Sequence, residues 1–180
     1  MEWVVVDDDH DRNEVGMLVP EASRAANLLW PEFIELGGCI FALPAVSRAV
    51  RSDWRKNPNG ERPWQDMDRT GAEALENHVR VLDCFEHGDV WNSARATYRT
   101  SHPHFKAAER FGKIMAESWF AKLSRDYPQD HFRVYYTRND NPIVRFHRVY
   151  PGEPAWLDEA GREEDVKRQH LLVLDTRERY

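Results

Sequence analysis

Cysteine is almost missing from this chain: Cys39 and Cys84 are the only two among 180 residues. Two cysteines cannot build the disulfide framework of a small secreted fold. Long hydrophobic runs are missing as well. None approaches the ~20 apolar residues that cross a bilayer, so no membrane partner is expected. The start of the chain has neither a basic segment nor an extended apolar one. Met1-Glu-Trp is followed by three valines and then by Asp7, Asp8 and Asp9. That pattern is not a secretory leader, and the expected compartment is the cytoplasm. Basic charge is in deficit: 25 Lys and Arg against 31 Asp and Glu leave a net charge of −6. The balance disfavours general nucleic-acid binding. No GxSxG elbow, glycine-rich phosphate loop, CxxC or HExxH spacing occurs. Nucleophilic and phosphate-loop chemistry therefore lack their signatures, and no cofactor is implied.

Aromatic residues are abundant, with seven Trp, eight Phe and six Tyr. Their large buried areas predict an aromatic-rich core. A chain of this size buries roughly two-thirds of its unfolded surface. A single domain over 1–180 is expected, with no need of a metal or disulfide staple. Charge is segregated: residues 1–20 hold six acids against Arg12, whereas 131–150 hold Arg133, Arg138, Arg145 and Arg148 against Asp140. Twenty of the 25 basic residues are Arg. Arg suits phosphate and carboxylate recognition, although a GC-rich genome gives the same excess.

Trp3–Val6 reads as a short strand and 7–16 as an acidic loop. Pro20–Leu29 reads as a short helix. Two apolar runs flank Gly37-Gly38, which predicts a hairpin over 33–43 because the two-residue turn needs positive φ. Val46, Val50 and Trp54 follow at helical spacing. Thr70 with Glu73 has the form of a capping box. The helix it opens places Leu75, His78, Val79, Leu82 and Phe85 on one stripe as far as Gly88, which makes His78 a buried, hydrogen-bonded histidine. A weaker helical stretch covers about 90–98. From Ser101, a helix over about 103–125 carries Phe105, Ala108, Phe111, Met115, Trp119 and Leu123 at steps of three and four. Strands at 131–137 and 143–150 pair with Thr137 opposite Ile143. Leu171–Leu174 reads as a last strand. The expected fold class is α+β: a mainly antiparallel sheet, with hairpins near 33–43 and 131–150 and helices packed on one face.

Val4-Val-Val-Asp-Asp-Asp9 resembles the opening of a bacterial receiver domain over some six residues. That family needs a further Asp after a hydrophobic mid-domain strand, and here Asp53 sits in a helical stretch. The acidic run is therefore read as an exposed loop that a basic partner surface would meet. Asp83 and His87 lie one helical turn apart, and His102 and His104 follow. Imidazole and carboxylate are the right ligand types for zinc or manganese. These four form the candidate metal set of an alternative reading, a metal-dependent hydrolase or nuclease. Alternation along the 131–150 hairpin puts Phe132, Val134, Tyr136, Val144 and Phe146 on the core side. Arg133, Tyr135, Arg145 and His147 fall on the other face, where cations interleaved with an aromatic ring suit phosphate, carboxylate or a stacked base. The favoured reading is a small protein-interaction module of inhibitor, immunity or regulatory type with no catalytic residues. It would bind a protein partner through Arg133, Tyr135, Arg145, His147 and the Asp7–Asp9 loop.

Overall fold

The computed structural model describes residues 19–57, 59–61, 64–85 and 89–178. The expected strand at 3–6, the loop with Asp7, Asp8 and Asp9, and His87 lie outside them. In chain order the elements are α1 (Val19–Leu29), β1 (Phe33–Leu36), β2 (Cys39–Ala42), α2 (Arg48–Lys56), α3 (Arg69–Glu76), β3 (Val79–Arg80) and a 3-10 turn (Val81–Cys84). They continue with β4 (Trp91–Asn92), β5 (Thr97–Tyr98), α4 (Pro103–Asp126), β6 (Phe132–Thr137), β7 (Ile143–Arg148), α5 (Glu163–Lys167) and β8 (Leu171–Asp175). The central sheet has the order β3-β7-β6-β8, with every neighbour antiparallel. This is the α+β class that the pattern of strands and helices predicts.

Helix α4 lies across one face of that sheet. Phe105, Met115, Trp119 and Leu123 meet Phe132, Val134, Tyr136, Val144 and Phe146, and all nine are fully buried. Each such side chain contributes about 1.5–3 kcal/mol by leaving water, so this layer dominates the fold's stability. Phe111 is half-buried and meets Phe85 edge-on, with ring centroids 5.1 Å apart. The N-cap is His102, not Ser101: its Nδ1 accepts from the His104 amide at 3.2 Å. Gly112 lets α4 approach the sheet. A Cβ there would sit 2.9 Å from Tyr136 Cε2 and 3.3 Å from Val81 Cγ2. Gly112→Ala should therefore lower stability by about 1–3 kcal/mol through overpacking, despite alanine's better helix propensity of about 1 kcal/mol. Urea unfolding checks this, and an unchanged or raised midpoint would show that the Tyr136 ring yields.

The hairpin β1–β2 forms at the expected place, with φ of 58° at Gly37 and 73° at Gly38. Leu36, Cys39, Phe41, Val46 and Val50 bury together in a second, smaller cluster. Its attachment to the main sheet is made by α3. Asp68 caps α3 by accepting from the Gly71 amide at 2.6 Å, so Glu73 is not spent on a capping box. Instead Glu73 turns inward and accepts from the Ile40 amide at 2.6 Å, from the Tyr150 hydroxyl at 2.6 Å and from the Arg148 amide. One helical turn on, Asn77 accepts from the Ala42 amide at 2.8 Å and donates to the Ile40 carbonyl at 2.9 Å. Two polar side chains thus tie the free edge of β2 to the end of β7.

The expected helix through residue 85 is overturned. It stops at Glu76, because Val79–Arg80 pair with β7 and because Val81 and Leu82 donate to the Pro142 carbonyl and the Asn141 side chain. Leu75 and Phe85 consequently face solvent. The expected helical stretch at 90–98 is also overturned: it is the small hairpin β4–β5, pinned by Trp91 against Tyr98 at 5.0 Å.

Candidate functional site

The register of β6 and β7 is the expected one, with Thr137 opposite Ile143, Tyr135 opposite Arg145 and Arg133 opposite His147. On β8, Val173 stands beside Tyr135 and Asp175 beside Arg133. Continuing the β3 register by one residue sets His78 beside Arg145. The face away from α4 is therefore a grid of cations, imidazoles and one phenol, with Val173 and the Asp175 carboxylate along its β8 side.

This face does not stay open, contrary to the expectation that Arg133, Tyr135, Arg145 and His147 remain accessible. Tyr135 and His147 are each only 1% exposed. The chain after β7 turns back over them. Glu159 accepts from Arg133 Nη1 at 2.8 Å and lies 3.4 Å from the Tyr135 hydroxyl. The Arg145 guanidinium packs over the Trp156 ring at 4.9 Å. His147 donates from Nδ1 to the Arg148 carbonyl at 2.9 Å, which leaves Nε2 to accept from the Tyr135 hydroxyl at 3.2 Å. Burial holds His147 below the usual imidazole range, so the ring is neutral. Burial, then the Glu159 charge, push the Tyr135 phenol up to about 12. Neither group is activated as a base or nucleophile. Burial likewise pushes the Cys84 thiol up to about 11, which leaves it a poor nucleophile.

The two arginines of the grid differ. Arg133 is spent on structure: it bonds Glu159 and, through Nε at 3.3 Å, Asp175, which also holds His131 at 2.6 Å. Arg145 has no carboxylate within ion-pair reach among the described residues; Trp156 is its partner. Burial alone shifts its guanidinium downward. Beside it, His78 Nε2 is buried with no hydrogen-bond partner, which overturns the expected hydrogen-bonded histidine. Burial, and then the charges of Arg145 and Arg80, hold that imidazole below its usual range.

Between the grid and the returning segment lies a cleft of about 490 Å³. The sheet supplies Tyr135, Thr137 and Arg145, the turn after β6 supplies Arg138 and Asn139, and the return supplies Trp156, Arg162, Asp165 and His170. Arg138 pairs with Glu109, which stands outside the lining. Arg162 pairs with Asp165 at 3.2 Å, both side chains about half exposed. The lining carries three guanidiniums and one carboxylate. Trp156, Arg162 and His170 were not legible as site residues, because they belong to a loop and a charged run without periodicity. A Trp within a polar, proline-bearing loop was the only available signal.

Of the candidate metal set, His87 lies outside the described residues and Asp83 does not join His102 and His104. Asp83 is held elsewhere, by Asn141 Nδ2 at 2.9 Å and by Arg80 at 3.5 Å. His102 and His104 do come together, but with Asp89: one ligand atom from each lies within 4.8 Å of the others. His102 Nδ1 is engaged as the cap of α4. In a neutral ring that puts the proton on Nε2, which points at Asp89 at 3.6 Å. Capping the helix and ligating a metal through Nε2 thus demand opposite tautomers of one ring. Compared with protein-family models, with curated proteins and with solved structures, the chain matches none. No helix of the described residues is long and apolar enough to cross a membrane.

Proposed function

We propose that the protein works by binding, as an interaction module, and that its recognition element is the cleft around Arg145, which takes an acidic group of a protein partner. The observation that carries this reading is the unpaired, half-buried guanidinium of Arg145 on the wall of a cleft with a cationic lining. A cation removed from water without a counter-charge is costly, and an incoming anion relieves that cost. Arg133 is unsuited to the role, since its fork is already filled. The test is calorimetry with a glutamate-rich peptide against its glutamine counterpart. The acidic peptide should bind, weaken as salt passes about 0.15 M, and lose its affinity with Arg145→Gln. Equal binding by wild type and variant would move the functional surface off this cleft.

The alternative, a metal-dependent hydrolase or nuclease, would have to use Asp89 in place of Asp83. What favours it is the proximity of Asp89, His102 and His104. Stoichiometric zinc in untagged protein, lost in His104→Ala, would replace the binding reading with this one.

A further inference from the structure

We infer that the anion this cleft selects is a phosphate monoester and not a carboxylate, an inference that rests on the cleft being the binding element. The first ground is charge. Arg138, Arg145 and Arg162 line one cleft with a single carboxylate, Asp165, among them. One carboxylate guest satisfies one guanidinium fork and carries one negative charge. A phosphate monoester carries close to two charges and three acceptor oxygens, so it meets the Arg145 fork and a second cation together. The second ground is how weakly Arg162 is held. The Arg162–Asp165 pair is solvent-exposed at 3.2 Å and is broken at little cost. Arg138 is already firmly paired with Glu109 of α4, both side chains mostly buried, so Arg162 is the second cation free to turn to a guest. The third ground is room. A volume of about 490 Å³ lies within the range that encloses small ligands and exceeds what a phosphoryl group alone fills. The group that carries the phosphate enters too, beside Trp156. Thr137 and His170 add polar contacts on the wall between them.

The experiment is calorimetry on the full chain with phenyl phosphate and benzoate, which share a ring and differ in the anion. Phenyl phosphate should bind about tenfold more tightly, the gain expected of a second charge-assisted contact. Arg145→Lys should lose about tenfold for phenyl phosphate, because an ammonium keeps the charge but offers no fork. Equal affinities for the two ligands, both dependent on Arg145, would overturn the phosphate inference and leave the anion-binding reading standing. Binding of neither phenyl phosphate, benzoate nor the acidic peptide would overturn both. Should Arg145→Lys not fold, Arg162→Gln decides: its side chain is half exposed, and an unchanged affinity for phenyl phosphate would overturn the proposal. A phosphoserine or phosphotyrosine peptide that outcompetes adenosine monophosphate and ribose 5-phosphate assigns the ester to a modified protein side chain. The reverse order assigns it to a free metabolite and overturns the protein partner of the proposed function.

Discussion

Trp119→Ala should unfold the domain or leave it marginal. The side chain is fully buried in the C-terminal half of α4, edge-on to Phe146 with ring centroids 5.7 Å apart. Its Nε1 donates to the Leu28 carbonyl at 2.7 Å, which also fastens α1 to the core. Truncation removes the largest apolar side chain in the layer and leaves a cavity, at a cost of about 3–5 kcal/mol. It also strands the Leu28 carbonyl. Whole domains are stable by only about 5–15 kcal/mol, so the loss takes a large share. Trp119→Phe separates the two effects: it keeps most of the volume, and should cost nearer to the 1 kcal/mol of one hydrogen bond plus a small cavity. Urea unfolding followed by far-UV circular dichroism measures both. A loss below about 1 kcal/mol for the alanine variant would contradict the packing of α4 on the sheet.

The elements legible in the sequence are those whose stability is local or strictly periodic. Helix α4 was legible from apolar residues at steps of three and four, and β6–β7 from an alternation with which the pairing of Thr137 opposite Ile143 is consistent. The β1–β2 turn was legible because Gly-Gly accepts the positive φ that a tight hairpin demands. What failed was decided by partners far along the chain. Leu75, His78, Val79, Leu82 and Phe85 fit a helical stripe, yet Val79 and Arg80 pair instead with a strand more than sixty positions later. Tertiary pairing overrode a pattern too short to resist it. The site divided in the same way. Alternation placed Arg133, Tyr135, Arg145 and His147 correctly on one face. It carried no information on the 151–170 return that buries two of them and separates a structural Arg133 from an unpaired Arg145. A similar gap hid the role of Glu73, whose partners sit on β2, at the end of β7 and just beyond it.

Glu73→Ala should cost at least about 2 kcal/mol at neutral pH, because it leaves two donors unpaired in the interior, the Ile40 and Arg148 amides, while the Tyr150 hydroxyl falls back on the Gly38 carbonyl at 3.0 Å. It would loosen the β1–β2 unit from the main sheet before the α4 layer fails, so hydrogen exchange at Ile40 and Ala42 should rise first. The loss should also depend on pH in a defined direction. Burial raises the Glu73 carboxyl from an ordinary value near 4.5 to about 7, against the opposing effect of its hydrogen bonds and the Arg148 charge. A carboxyl whose folded pKa lies above its unfolded one favours the fold most below the unfolded value. That advantage is lost as pH rises through the folded value. Between pH 4.5 and just above 7 the contribution of Glu73 should therefore fall by about 3 kcal/mol. Carboxylates such as Glu109, Glu153 and Asp175 act oppositely. Burial acts to raise them, but hydrogen bonds and neighbouring cations hold each below its ordinary range, so their contribution is lost as pH falls. The measurement must accordingly be the difference between wild type and Glu73→Ala, in which those groups cancel. The alanine variant should be most penalised near pH 4.5 and progressively less so toward pH 7.5. A difference that stays flat across this window would mean that Glu73 is ionised throughout, its three donors and Arg148 outweighing the cost of burial.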